Sequence, residues 1–392
     1  MSAAPEIKGW CPGALRPMMS GDGLVVRVRP AAGRVTAEQA QGIADLAERF
    51  GNSLIDLSAR ANLQLRGVAE AAYPALIDGL FALGLIDPSA EVEARRNIIV
   101  SPLWTEGDGT VALAKALATA LAADDAPALP GKFGFAVDCG PAPRLRDISA
   151  DIRLERLADG GLVLLADGAA EGMRVTPAQA AEEALALARW FLASGGARES
   201  RGRMRGHIGA GHLPPVRFRG TAAPAQGAAR PEPGPSPQGW LVGFEFGQIA
   251  AKTVSKLAEI GSFRVTPWRM LLIENAANAP DLPGVITQPL DPRLRVTACT
   301  GAPGCLQGLG QTRDLARALA PAIPLGSHLH VSGCAKGCAH PGPAALTLVA
   351  RAGGRFDLIC KGRAADQPVL SGLTPAELIQ NPDILSEKSN AP

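Results

Sequence analysis

Aromatic side chains are scarce in this chain: Phe 10, Trp 5 and Tyr 1 make up 4% of 392 residues. A platform that stacks single-stranded nucleic acid needs several of them on one face, so that class is excluded. Charge is thin as well, at 19% against the usual level of about 25%. Lys+Arg 39 almost cancel Asp+Glu 37, so no global field draws the chain to nucleic acid or anionic lipid. No apolar run is long enough to span a membrane. Residues 1–20 carry Glu6, Lys8 and Arg16 and no apolar stretch of the kind that opens a secreted chain, so a cytoplasmic protein is expected. Cysteine is sparse and odd in number, at seven. In such a setting thiols are free, metal-bound or catalytic rather than paired in a disulfide framework.

What the chain does have is apolar residues, 47% of the total, in a length that suits two or three domains of about 150 residues each. Glycine and proline are plentiful, 45 and 33, and they concentrate at residues 220–239. That stretch reads as a linker. The segments on either side of it resemble each other. Gly23-Leu24-Val25-Val26-Arg27-Val28 is strand-like, and Thr36 with Gln39 forms a capping box ahead of Ile43, Leu46, Ala47 and Phe50. Gly51 closes that helix, and two short strand-like runs follow, 54–57 and 63–65. After the linker, 240–244 is strand-like, a helical pattern runs through Ile249, Val254 and Leu257 to Gly261, and runs at 263–266 and 270–273 follow. The repeated order points to an internal duplication. Each small unit precedes a larger mixed region, with helices expected at 112–123, 177–193 and 312–319 and strands at 328–332 and 345–351. The expected fold is α+β: duplicated ferredoxin-like units plus two larger mixed α/β units related by pseudo-twofold symmetry. The expected boundaries are 1–88, 89–219, the linker 220–239, 240–288 and 289–392.

Four cysteines carry the chemical signal. Cys299 and Cys305 are separated by five residues, and Cys334 and Cys338 by three. Four thiolates suit an iron–sulfur cluster or a structural zinc. The wide first spacing and the glycine-rich flanks favour the cluster, because glycine lets backbone N–H groups approach sulfur closely. Zinc and unliganded thiols stay open on spacing alone. Cys11, Cys139 and Cys360 have no partner spacing and read as incidental thiols.

The cysteine pairs resemble the cluster-binding pattern of the sulfite and nitrite reductases. So do Ser58-Ala59-Arg60-Ala61-Asn62-Leu63-Gln64-Leu65, Arg95-Arg96-Asn97-Ile98 and Leu129-Pro130-Gly131-Lys132-Phe133. Within that superfamily, the run Gly9 to Leu24 and the sequence Cys338-Ala339-His340-Pro341 are similar to the precorrin-3B synthases, and the chain is short for an assimilatory reductase. The resemblance implies a [4Fe–4S] cluster on Cys299, Cys305, Cys334 and Cys338, and a monooxygenase acting on precorrin-3A with O2. It also implies a mononuclear non-haem iron, electrons from a separate reductase or ferredoxin with NADH as their indirect source, and no nucleic acid or membrane partner. No dinucleotide fingerprint is present that would bind NADH directly: Gly308-Leu309-Gly310-Gln311-Thr312-Arg313 fails at its last position.

The rival within the superfamily is a sirohaem-dependent sulfite or nitrite reductase. Such a site needs four converging cations. Arg60, Arg96 and Lys132 align with three, while Gly134 stands at the fourth, which weakens anion binding. The retained cations suit a polycarboxylate macrocycle equally well, so Arg60, Asn62, Gln64, Arg66, Arg96 and Lys132 are the expected substrate contacts. Asn62, Gln64 and Arg66 alternate with Leu63 and Leu65, placing them on one strand face. Arg269, at the matching turn of the second repeat, is expected across the cleft. Lys132 and His340 are expected to serve the chemistry, His340 because it follows a cluster ligand by two residues. His328 and His330 share a strand face and read as structural. His207 and His212 lie in a glycine-rich loop, and the arginine run 198–205 reads as a solvated loop or a further carboxylate clamp. No contiguous two-His-one-carboxylate motif is present. A rival from another class is a non-catalytic tetrapyrrole- or zinc-binding protein.

Overall fold

The structure, a computed structural model, describes residues 12–199, 201–220 and 222–385. Gly9, Trp10 and Cys11 of the opening motif, and Ser200 of the arginine run, lie outside them. Thr36 starts the first long helix, Ala37–Phe50, with both arms of the capping box formed to Gln39. The helix buries Ala40, Ile43, Ala44 and Ala47, four positions along one stripe.

That helix covers an antiparallel sheet with strands in the order Met18–Ser20, Gly23–Val28, Leu63–Val68, Leu54–Leu57 and Gln248–Ala250. The second repeat builds the same sheet from Gly234–Ser236, Gly239–Phe244, Met270–Glu274, Phe263–Val265 and Arg34–Val35. The last strand of each sheet therefore comes from the other half of the chain. Ile249, expected at the start of the second helix, lies on one of these exchanged strands, and the helix begins at Ala251. Pairing with Leu54–Leu57 satisfies the backbone of Gln248–Ala250, which a frayed helix end would leave open. Helices Ala37–Phe50 and Ala251–Ile260 pack on each other, and one continuous core holds apolar residues of both repeats.

The two larger units also share one topology. Ile98–Val100, Phe135–Asp138 and Ile152–Arg156 run parallel, and Leu162–Ala166 and Met173–Val175 then add antiparallel. Val296–Ala298, Leu329–Ser332 and Ala344–Arg351 repeat the parallel part, and Arg355–Gly362 and Leu370–Leu373 the antiparallel part. Helices Thr110–Ala122 and Ala180–Ala193 serve the first unit, Arg313–Leu319 and Pro375–Gln380 the second. Each unit has its own core. The Pro/Gly-rich stretch bridges to the first unit at Ala222 and Pro224. It then enters Gly234–Ser236, which opens its sheet as Met18–Ser20 opens the other.

Candidate metal and substrate site

Parallel strands end on the same side, and this brings the two cysteine pairs together. Val296–Ala298 and Leu329–Ser332 pair in register, Ala298 opposite Val331, so Cys299 and Cys334 emerge side by side from their C-terminal ends. Residues 299–310 then fold back on themselves. Cys305 N–H donates to Gly301 O at 2.8 Å, Ala302 N–H to Gly310 O at 2.9 Å, and Leu309 N–H to Gly333 O at 2.8 Å. Gly333 N–H points at Cys299 Sγ, 3.1 Å away. A Cβ on Gly333 would lie 3.3 Å from that sulfur and 3.1 Å from Gly301 Cα, so any side chain there would push the two loops apart.

Burial raises the Cys334 and Cys338 thiols above their ordinary range. Lys336 acts against this in both cases, while Cys299 and Cys305 raise both thiols further and Cys334 adds to the effect on Cys338. Neighbouring thiols thus disfavour ionisation of Cys334 and Cys338, an effect that a cationic metal centre would reverse. They do not close around one point as a single ion would require: among the described residues no three His, Cys, Asp or Glu side chains do so. A zinc site draws its sulfurs to about 2.3 Å from one ion. The N–H directed at sulfur and the glycine cradle fit an iron–sulfur cluster. Among the described residues no three His, Cys, Asp or Glu side chains gather where they could hold a mononuclear iron.

The loop carrying Cys305 is tied to the polar face of the first sheet. Ser20 Oγ donates to Gly304 O at 2.7 Å and Arg66 Nη2 donates to the same oxygen at 3.1 Å. Arg66 also pairs with Asp22 at 2.7 Å and Asp56 at 3.5 Å, and only 6% of it is exposed. It therefore joins the sheet to the loop carrying Cys305, with its donors already committed. Gln64 accepts two hydrogen bonds from Arg27, at 2.6 and 3.1 Å. Asn62 shapes the turn: its carbonyl accepts from Ser58 N–H at 2.9 Å and its own N–H donates to Ser58 Oγ at 3.2 Å. Arg96 is held in a fork by Asp87, at 2.6 and 2.8 Å, and donates to Arg29 O.

Arg60 and Lys132 meet. Arg60 Nη2 donates to Lys132 O at 2.9 Å, and Lys132 is exposed, with no carboxylate pairing it among the described residues. Gly134 explains the meeting: a Cβ there would lie 3.3 Å from Arg60 Nη1 and 3.0 Å from Asn97 Nδ2. The position that holds the fourth cation in the reductase pattern here leaves room for a guanidinium instead. The sequence reading missed Arg27 and Arg29. Both are buried and alternate with the core residues Val26 and Val28, the same period-two signal that marked Asn62, Gln64 and Arg66. Burial lowers the Arg29 pKa against the pull of Glu93.

His340 lies beside His328 and His330, with ring centres 5.2 and 5.7 Å away. His328 Nε2 is 2.9 Å from Thr297 Oγ1. His330 is wholly buried, and among the described residues neither of its ring nitrogens has a hydrogen-bond partner. Burial drives the pKa of both down to about 4, so both are neutral at pH 7. His207 and His212 stack on each other at 4.2 Å in the first large unit, with His207 near Ser194, and do not join this group. A cavity of about 780 Å³ lined by Arg34, Trp104, Lys115, Arg264 and Glu274 includes none of the expected site residues.

The nitrite/sulfite reductase ferredoxin-like half domain matches residues 16–83. A precorrin-3B synthase from Sinorhizobium sp is 32% identical over 92% of this chain and 84% of its own length. A ferredoxin–nitrite reductase from Synechococcus elongatus is 25% identical over 85% of this chain and 77% of its own. The NirA protein of Mycobacterium tuberculosis superposes with a TM-score of 0.63 at 17% identity, over 92% of this chain and 79% of that one. This last likeness speaks to the fold.

Proposed function

The chain belongs to the precorrin-3B synthase family of the nitrite and sulfite reductase group, and from that premise we propose that it is an iron–sulfur monooxygenase converting precorrin-3A to precorrin-3B. In that reaction one oxygen atom of O2 enters a meso carbon of the macrocycle as hydroxyl and a ring-A acetate closes a lactone. The other oxygen atom leaves as water, which takes two electrons and two protons. The observation that carries the reading is the convergence of two cysteine loops at the ends of parallel strands, one of them tied through Gly304 to an arginine-bearing sheet face.

A cluster held by Cys299, Cys305, Cys334 and Cys338 would supply electrons to the cleft one at a time. Each of the chain's own residues has a narrower task. Lys132 offers an exposed ammonium to a substrate carboxylate, and Arg60 fixes the backbone that presents it. Gln64 and Arg27 form a second polar pair on the same sheet. Asp87 already engages Arg96, so Arg96 braces the chain at Arg29, just past the strand Gly23–Val28, and contributes less to substrate binding. His340, two residues beyond Cys338, is the group we place to pass a proton at the cleft. Electrons come from a separate reductase or ferredoxin, with NADH as the remote source.

The reductase reading draws on the nitrite reductase relative, and Gly134 weighs against it because the space there is taken by Arg60. Purified protein incubated with precorrin-3A, O2 and a reductant should yield a product heavier by one oxygen atom. An intact cluster with no such product would overturn the proposal. A chlorin-type Soret and red band in the isolated protein would favour the sirohaem reductase, and zinc without acid-labile sulfide a non-catalytic binding protein.

A further inference from the structure

Arg269 closes the turn between Phe263–Val265 and Met270–Glu274 with a φ of 61°, the region Ala61 occupies at the matching turn of the first repeat, with φ 54°. A long side chain in that conformation is uncommon, and here it sends the guanidinium across to the cluster loops. Arg269 Nη2 donates to Ala339 O at 2.9 Å, and Ala339 follows Cys338. Burial lowers its pKa. The charges near enough to act on it are Asp56, Arg313, Arg230 and, most weakly, Cys299. Arg313 shares Asp56 at 3.4 Å. The hydrogen-bond partner of Arg269 is a neutral carbonyl, and among the described residues no carboxylate lies in contact with it.

We infer that Arg269 is a positioning residue for the four-cysteine centre: it holds the loop beyond Cys338 and sets a positive charge beside Cys299 that raises the reduction potential of a cluster bound there. The inference rests on the cluster reading above. A cluster ligated by four thiolates becomes more negative on reduction, so a nearby cation stabilises the reduced form more than the oxidised one. In a partly desolvated setting that difference is only weakly screened. Arg230 and Arg313 act in the same direction and Asp56 against it, so the effect of Arg269 is read as a difference between variants.

The test is redox potentiometry followed by EPR on the full chain purified without oxygen, comparing wild type with Arg269→Gln and Arg269→Lys. Gln keeps a donor for Ala339 O but drops the charge, and its midpoint potential should move to more negative values. Lys keeps the charge and should stay close to wild type. An unshifted glutamine variant, or a lysine variant shifted as far as the glutamine one, overturns the inference. Should Arg269→Gln assemble no cluster, the lysine variant decides: a potential near wild type supports the inference and a clear negative shift overturns it. Wild-type protein lacking acid-labile sulfide is a separate result, and it would end the cluster reading itself.

Discussion

Asn62, Gln64 and Arg66 share a strand face, yet each does something different. Asn62 shapes a turn, Gln64 receives Arg27, and Arg66 joins the sheet to the Cys305 loop. The alternation with Leu63 and Leu65 gave the face; only the neighbours gave the tasks. The cysteines give the first prediction at this scale. Cys334→Ser should remove the visible charge-transfer absorption and the acid-labile sulfide of the purified protein. Full iron content with the band retained would take Cys334 out of the ligand set. His330 gives the second. Its pKa is depressed to about 4 in the fold from about 6.5 in the unfolded chain. Its contribution to stability is therefore complete above about pH 6.5 and lost as the pH falls toward 4, by roughly 3 kcal/mol. Urea unfolding at pH 7 and pH 4.5 should show a smaller acid loss for His330→Leu than for wild type. Equal losses would mean that this imidazole does not couple to folding.

At the scale of elements, the two small sheets use the same register with the charges reversed. Asp56, opposite Gln248, lies near Arg66 in the first; Arg264, opposite Arg34, pairs with Glu274 in the second. Arg66 reaches the backbone of the cysteine loop at Gly304, and Arg264 reaches the corresponding loop at Pro102 and Trp104. A charged pair at this place docks the large unit onto the small sheet in both halves. Glu274 and Arg264 are each under a tenth exposed. Burial raises the Glu274 pKa, but hydrogen bonds from Arg34 and Arg264 outweigh it and the net shift is downward. Glu274→Gln leaves a buried guanidinium without its partner and should destabilise the protein by about 3 kcal/mol at pH 7. Because the carboxylate's contribution is present above the ordinary glutamate value and lost below it, the gap between variant and wild type should narrow as the pH falls below about 4.3. A pH-independent gap in denaturant midpoints would refute this account.

For the whole molecule, the decisive feature is the exchange of strands. Arg34–Val35 completes the sheet of the second half and Gln248–Ala250 that of the first, while one core runs between them. Neither half can hide its own sheet edge, and an open edge with an apolar face aggregates. Chains 1–219 and 220–392 expressed singly should be insoluble or lack cooperative unfolding, and co-expression should recover a soluble pair. A singly expressed half with a sharp thermal transition would show that the exchange is dispensable.

Much of this was legible in the chain. The capping box of Thr36 and Gln39, the duplicated order of elements and the two cysteine pairs all depend on residues close in sequence, where local geometry and side-chain period act directly. The sites of Ile249 and Arg34 were not legible, because a strand of two or three residues has too little pattern of its own and forms only when a distant edge offers hydrogen bonds. The fate of the arginines was likewise undetermined. An arginine in a polar alternation can bind a ligand or brace the scaffold, and the choice turns on whether a carboxylate such as Asp22 or Asp87 arrives from elsewhere in the chain. The sequence by itself determined which groups exist and which face they share; the tertiary structure decided which of them remain available, because pairing between distant residues depends on distances that only the folded chain sets.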